Sequence, residues 1–118
     1  MTKDELIKRT KRFAVSVIKL VESFPKTTPS FIISKQLIRS STSVAANYRA
    51  ALRAQSHAHF ISKISIVEEE ADESLFWLEL SVEVDLISSE KANSIIKEAN
   101  ELTAIFTASR KTAKQRNK

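Results

Sequence analysis

Apolar residues recur at steps of three and four along four successive stretches of the chain. In the first stretch the repeating positions run from Leu6 to Phe24. This spacing places apolar side chains on one face of an α-helix. Pro25 and the KTTP segment after it interrupt the pattern, so the first helix is predicted to end there.

The later stretches begin with residues that favour helix starts. Thr28 before Pro29 suits the N-cap and first turn of a second helix, and Ser56 can cap a third. The connections are only a few residues long, so consecutive helices should pack as antiparallel neighbours. The predicted fold is all-α, an antiparallel up-down-up-down four-helix bundle that forms a single domain over 1–118. Its predicted helices cover about 4–24, 29–54, 56–87 and 89–114.

The composition narrows the classes of function. Of the 118 residues, 42% are hydrophobic and 28% charged, and there is no glycine and no cysteine. P-loops and dinucleotide-binding fingerprints need glycine, so both are excluded. The lack of cysteine excludes disulfides, thiolate zinc sites and cysteine nucleophiles. The charged start, MTKDELIKRTKRF, is typical of neither a signal peptide nor a membrane span, and a cytoplasmic location is expected.

Charge is distributed unevenly between the predicted helices. Residues 1–53 hold 11 Lys and Arg against 3 Asp and Glu, a net charge of +8. Residues 54–90 hold 1 against 9, a net charge of −8, and residues 91–118 hold 7 against 2, a net charge of +5. Together they give the formal net charge of +5. In the predicted topology, the start of helix one, the end of helix two, the start of helix three and the end of helix four share one end. Thirteen of the 19 basic residues belong to these segments. We call them the basic end: Lys3, Lys8, Arg9, Lys11, Arg12, Arg49, Arg53, Lys63, Arg110, Lys111, Lys114, Arg116 and Lys118.

The basic end is a candidate surface for binding a polyanion, because only Asp4 and Glu5 are expected to offset it locally. Basic residues in the last turns of helices two and four also complement the helix dipole, but those at the start of helix one do not. No aromatic side chain stands out there as a platform for stacking bases, so base-specific recognition is not expected. Nine residues are predicted to contact phosphates: Lys8, Arg9, Arg12, Arg49, Arg53, Lys63, Arg110, Lys111 and Lys114.

The predicted third helix is apolar on two sides. With Ala71 at the centre of the core face, a second group of apolar residues falls on or near the far side: Ile66, Phe76, Trp77, Leu80 and Val84. Large apolar side chains there indicate either deeper burial or a subunit contact. Trp77 alone would fit the boundary of a broad core, but the whole set predicts a homo-oligomer.

Side chains that could carry catalysis do not form a recognisable set. The segment 68–73 is acidic, but di-iron bundles combine such carboxylates with Glu-x-x-His motifs, which this chain lacks. His57 and His59 are two positions apart and lie on different sides of a helix, which argues against a shared metal ion. We expect no enzymatic activity, no cofactor and no metal. The apolar face of helix one is needed for the core, so membrane binding is not expected.

The segment SSTSVAANYRAALRAQS, residues 40–56, places small polar residues in the middle of the predicted second helix. Ser40, Ser41 and Asn47 fall on its core side. Small side chains let helices approach closely, and their hydroxyls can bond to carbonyls one turn earlier. Asn47, if buried, needs hydrogen-bond partners.

An ion pair is predicted between helices two and three. If the chain folds back near residue 55, Arg39 comes level with the acidic positions Glu70 to Asp72. The predicted structural polar residues are therefore Arg39, Asn47, Glu70 and Asp72.

Four stretches that together span nearly the whole chain resemble a known family. RTKRFAVSVIKLVESFP, QLIRSSTSVAANYRAALRAQS, HFISKISIVEEEADESLFWLEL and EANELTAIFTASRKTAK are similar to the 23S rRNA intervening-sequence proteins, also called S23. The resemblance implies a small bacterial four-helix bundle, in some members encoded within insertions in 23S rRNA genes, that assembles as a homopentamer. The accessory protein of diversity-generating retroelements is similar, and is a basic pentameric bundle that works with nucleic acid and a reverse transcriptase.

One departure from the family pattern lies in SSTSVAAN, where the family usually has glycines and this chain has Ser41 and Ala46. Both residues are small, so close helix packing is still expected. Residues and resemblance together predict a non-enzymatic homo-oligomer, with five subunits, that binds RNA or DNA, RNA in particular, and works with a nucleic-acid-processing protein. The alternative is a ring-shaped scaffold that recruits a protein partner, in which the basic surface has no role.

Overall fold

The structure is a computed structural model that describes residues 1–116. Its four helices are α1 Lys3–Val21, α2 Thr28–Leu52, α3 His57–Glu83 and α4 Ser89–Arg116. Consecutive helices pack side by side, and α4 returns to meet α1 over a smaller contact. The bundle measures 48 × 22 × 22 Å, and the predicted all-α four-helix fold is confirmed. Within residues 1–116, no helix is both long and apolar enough to cross a membrane.

Hydroxyl side chains cap all four helix starts. Each accepts a hydrogen bond from the backbone N–H three residues later, at 3.0–3.3 Å, which satisfies a donor that the helix itself leaves free. The capping residues are Thr2, Thr27, Ser56 and Ser88. The cap of α2 is therefore one residue earlier than the predicted Thr28, which instead begins the helix.

The end of α3 differs most from the prediction, because the helix stops at 83 and not at 87. Asp85 has a positive φ of 61°. Its N–H donates to the Val82 carbonyl at 3.1 Å, and the N–H of Leu86 donates to the Ser81 carbonyl at 2.9 Å. These two bonds close a helix around a left-handed residue, a position that glycine usually fills and that Asp tolerates. Leu86 and Ile87 are buried beyond the turn, which explains why the apolar pattern continued. The other helix boundaries differ from the predictions by three residues or fewer.

The core is a column of apolar side chains along the bundle axis, to which every helix contributes. Phe106 of α4 is fully buried and packs against Tyr48 of α2, with the ring centroids 5.3 Å apart. Burial of each large apolar side chain contributes about 1.5–3 kcal/mol. Other fully buried large residues are Leu37, Ile64, Leu78 and Leu102.

Small residues line the contact between α2 and α3. Ser40 and Ser74 are both fully buried, and the Ser74 hydroxyl donates to the Ser40 oxygen at 2.9 Å. Ser40 in turn donates to the Leu37 carbonyl at 3.2 Å, and the buried Ser41 donates to the Ile38 carbonyl at 3.2 Å. These serines therefore pack closely and bond back one turn along the helix. We call the Ser40–Ser74 contact the serine seam.

Two further polar side chains of α2 have partners. Asn47 is partly buried and donates to a serine carbonyl one turn earlier at 3.1 Å. Arg39 Nη1 lies 2.8 Å from Glu70 Oε2, and the same guanidinium also pairs with Glu73. Asp72 is exposed and joins no ion pair within residues 1–116, because two positions along a helix turn a side chain away from its neighbour. Arg39 is 48% exposed, so its ion pairs contribute at most about 1 kcal/mol.

Candidate nucleic-acid interface

Basic residues of α1 and α2 meet at a groove on the surface of the bundle. Lys11, Arg49 and Arg53 line this groove of about 490 Å³, together with Ala45 and Ala46. All three cations are exposed, and in the described part of the chain none of them has a carboxylate within 4.0 Å. Their charges are therefore available to an outside anion. We call this site the cationic groove.

Two of the nine predicted phosphate contacts are instead held by carboxylates. Arg9 of α1 donates to both carboxylate oxygens of Glu98 in α4, with Nε–Oε2 2.7 Å and Nη2–Oε1 2.6 Å. Its side chain is 19% exposed, and the hydrogen bond to Glu98 is the main reason why the pKa of Arg9 is raised. A bidentate pair of this kind fixes geometry as well as charge. Arg9 therefore joins α1 to α4.

Arg110 of α4 is held in the same way by Glu68 of α3. Its Nη2 lies 3.3 Å from Glu68 Oε2, and its Nε also donates to the carboxylate. The Thr107 hydroxyl donates to Glu68 Oε2 at 2.6 Å. The hydrogen bond from Arg110 is the main reason why the pKa of Glu68 is lowered, and Thr107 and the charge of Lys111 act in the same direction.

The expectation that only Asp4 and Glu5 would offset the basic end was therefore wrong, because Glu68 and Glu98 come in from other helices. Seven predicted contacts are left without an ion pair in residues 1–116: Lys8, Arg12, Arg49, Arg53, Lys63, Lys111 and Lys114. Lys118, which the sequence also placed at the basic end, lies outside the described residues.

Neutralising Glu68 should destabilise the protein more at neutral pH than in acid. A carboxylate whose folded pKa lies below its usual value of 4.5 contributes its full stability above that pH, and loses it as the pH falls through the folded pKa. We expect Glu68→Gln to lower the free energy of unfolding by about 1 kcal/mol at pH 7, since the group is partly exposed, and by less at an acidic pH below 4.5. Urea denaturation at both pH values measures this. The exposed Glu69→Gln is the matched control, and an equal loss for Glu68→Gln at both pH values would contradict the assignment.

An aromatic pair lies at the basic end, although none was expected there. The rings of His57 and Phe60 in α3 are nearly parallel, with planes at 20° and centroids 6.5 Å apart. Both line a second cavity of about 470 Å³, together with Ser109, Thr112 and Arg116 of α4. Phe60 also packs against the core, so in the sequence it has the spacing of a core residue and does not stand out as part of a surface pair. The spacing of three residues, which puts two side chains on one helix face, was the available signal.

The five residues of the predicted oligomer face of α3 differ in how far they are exposed. Phe76 and Val84 are exposed, by 54% and 48%, whereas Ile66 is half-buried. Trp77 and Leu80 are also half-buried and pack against the core, so their placement on the far side of the helix was wrong. Trp77 lies on the flank toward α2. The Trp77 indole N–H donates at 3.2 Å to Glu73, the residue that pairs with Arg39 of α2.

Exposed apolar side chains are confined to three of the four helices. Apart from Met1, the large apolar residues with more than a third of their surface exposed lie on α1, on α2 or at the end of α3, and α4 has none in Ser89–Arg116. They are Ile7, Val15, Ile18, Phe31, Ile32, Phe76 and Val84. One side of the bundle, centred on α4, is therefore polar, and the other sides carry unpaired apolar surface.

These features define a small basic four-helix bundle with a cationic groove and exposed apolar sides. The chain matches the 23S rRNA-intervening sequence protein family over residues 2–108 and belongs to that family. It is also similar to the crystal structure of a protein with unknown function from the S23 ribosomal protein family of Bacteroides thetaiotaomicron. The two are 35% identical, the match covers 90% of this chain and 98% of that chain, and the TM-score is 0.83. No curated protein matches the chain.

Proposed function

We propose that the protein is a non-enzymatic homo-oligomer that binds nucleic acid, RNA in particular, by contacting phosphates from its basic end. The observation that carries this proposal is the cationic groove, where Lys11, Arg49 and Arg53 stand close together without carboxylate partners in residues 1–116. Clustered cations displace the counterions of a phosphate backbone, and the release of those counterions drives binding. The family's association with 23S rRNA is compatible with this function and with a cytoplasmic location.

The oligomer is supported by the exposed apolar residues of α1, α2 and α3. Phe31 of α2 and Ile18 of α1 lie toward the end away from the cationic groove, and so do Phe76 and Val84 of α3. A contact that uses this half of the bundle leaves the basic end free. Charge also matches, because the exposed Glu79 shares the helix face of Phe76, three positions on, and lysines accompany the apolar residues of α1 and α2.

Two different contact sides on each copy favour a ring. The α3 side of one copy would meet the α1/α2 side of the next, a head-to-tail contact that closes when the rotation allows it. Five subunits would gather five cationic grooves on one rim, which strengthens binding through multivalency.

Light scattering of the purified protein, with and without an RNA oligomer at two salt concentrations, tests both parts of the proposal. We expect a mass several times that of the 13.3 kDa chain without RNA, a heavier complex with RNA at low salt, and release of the RNA at high salt. A mass of one chain would contradict the oligomer. Absent RNA binding, or binding that ignores salt, would contradict the nucleic-acid function.

A second candidate function is a scaffold that recruits a protein partner. It is favoured by the apolar part of the cationic groove, where Ile7, Ala14 and Leu52 lie beside the cations. Such a surface fits an amphipathic helix with acidic flanks. A pull-down product that survives nuclease treatment would favour this function over nucleic-acid binding.

A further inference from the structure

The cavity beside His57 lies where α4 extends past α1. Glu98 marks the side of α4 that faces α1, because it holds Arg9. Ser109 and Arg116 follow Glu98 by 11 and 18 residues, about three and five helical turns, so they lie on the same side of α4. Beyond Arg9, α1 continues toward this end for only about 9 Å, whereas Ser109 is already about 16 Å further along α4. The cavity is therefore left uncovered by α1.

Two rings of α3 form one wall of this cavity and are held in place. His57 Nε2 lies 2.8 Å from the Ala113 carbonyl oxygen of α4. A carbonyl accepts hydrogen bonds, so Nε2 carries the hydrogen and the contact restricts the orientation of the ring. Phe60 is restricted as well, because it packs against the core. The two nearly parallel rings are thus oriented before any ligand arrives, which lowers the entropic cost of binding.

The opposite wall is polar and positively charged. It carries the hydroxyls of Ser109 and Thr112 and the guanidinium of Arg116, beside two alanines of α4. The Ser109 hydroxyl donates to the Ile105 carbonyl at 2.9 Å, so its oxygen is left to accept a hydrogen bond from the edge of a base. The guanidinium suits a phosphate. A nucleotide has a flat ring, polar ring edges and a phosphate, which match the aromatic, hydroxyl and cationic groups of the cavity. A purely apolar ligand would leave the polar groups of the cavity without hydrogen-bond partners.

We propose that this cavity binds an unpaired base of a nucleic-acid strand, stacked on His57 and Phe60, with Arg116 contacting the neighbouring phosphate. The inference rests on the proposed nucleic-acid function and adds to it a preference for single-stranded over fully paired strands. Single-stranded nucleic acids are commonly recognised by stacking of splayed bases on aromatic side chains. Phosphate contacts at the cationic groove and base stacking at this cavity are then separate parts of one binding surface.

The test compares an RNA oligomer with an abasic strand that has the same number of phosphates. The ratio of the two dissociation constants measures the contribution of the bases. We expect the wild type to bind the normal strand about 5- to 100-fold more tightly, the range that base stacking on an aromatic side chain gives. In His57→Ala and in Phe60→Leu, which keeps an apolar side chain in the core, this ratio should fall toward one. A merely structural loss would weaken binding of both strands and leave the ratio unchanged.

His59→Ala is the matched control, because His59 is exposed and two positions further along α3, away from the cavity. It should keep the wild-type ratio. Equal binding of both strands by the wild type would overturn the stacking site and leave the phosphate function intact. A ratio that stays at the wild-type value in both cavity variants would also overturn the site. Absence of binding to either strand would contradict the proposed function itself, and the stacking site with it.

Discussion

The triple charge reversal Lys11→Glu, Arg49→Glu and Arg53→Glu should weaken RNA binding by about 50-fold or more near 0.15 M salt. Each phosphate contact with a single strand contributes a slope of about −0.7 in log K against log salt, which corresponds to roughly fourfold in affinity at this salt concentration. Three lost contacts therefore multiply to roughly 60-fold, and repulsion by the new carboxylates adds to this. The salt slope should become shallower by about 2. All three side chains are exposed, so the fold should be little affected.

A second triple variant separates local from global charge. Lys26→Glu, Lys91→Glu and Lys97→Glu change the net charge by the same amount at exposed positions outside the cationic groove. Titration of a labelled RNA oligomer at several salt concentrations should show nearly wild-type affinity for this control. Equal weakening by the two triple variants would mean that binding depends on the overall charge of the protein. It would contradict the assignment of the cationic groove as the RNA-binding site.

The helices could be predicted from the sequence because the signals that define them are local. The three- and four-residue apolar period and the hydroxyl caps both act within one or two turns. The end of α3 could not be placed, because it depends on a left-handed Asp85. In most proteins glycine marks such a position, and this chain has no glycine. The apolar pattern continues through Leu86 and Ile87, since the connection itself packs into the core.

The sequence predicted which end of the bundle is basic, because the order and direction of the helices determine that. Bundle connectivity brings basic segments to one end, but which cations remain free depends on contacts between distant residues. Arg9 meets Glu98 across 89 positions, and Arg110 meets Glu68 across 42. The angular position of a residue around its own helix, calculated from the helical period, does not show which residue of another helix it pairs with. The same limit explains Trp77, because the width of a buried helix face depends on the neighbouring helices and not on the helix alone.

Bulky residues at the serine seam should cost much of the protein's stability. Ser40 and Ser74 are fully buried and meet through their hydroxyls at 2.9 Å, between two helices that pack along most of their length. A leucine at either position adds a branched side chain where no space is available, and overpacking typically costs about 1–3 kcal/mol. The double variant Ser40→Leu, Ser74→Leu should therefore lose roughly 2–6 kcal/mol, against a total of about 5–15 kcal/mol for a small domain. Urea denaturation measures the loss.

Alanine at the same two positions distinguishes close packing from hydrogen bonding as the basis of the seam. Ser40→Ala, Ser74→Ala removes both hydroxyls at once, so no donor or acceptor is left unpaired in that contact, and a nearly neutral effect is expected. Comparable losses for the alanine and leucine pairs would show that the hydrogen bond, and not the small size, holds α2 against α3. If the alanine pair is neutral, the run of small residues in the middle of α2 serves close helix packing. In that case the buried serine hydroxyls are tolerated because each bonds to a carbonyl one turn earlier or to its partner across the seam.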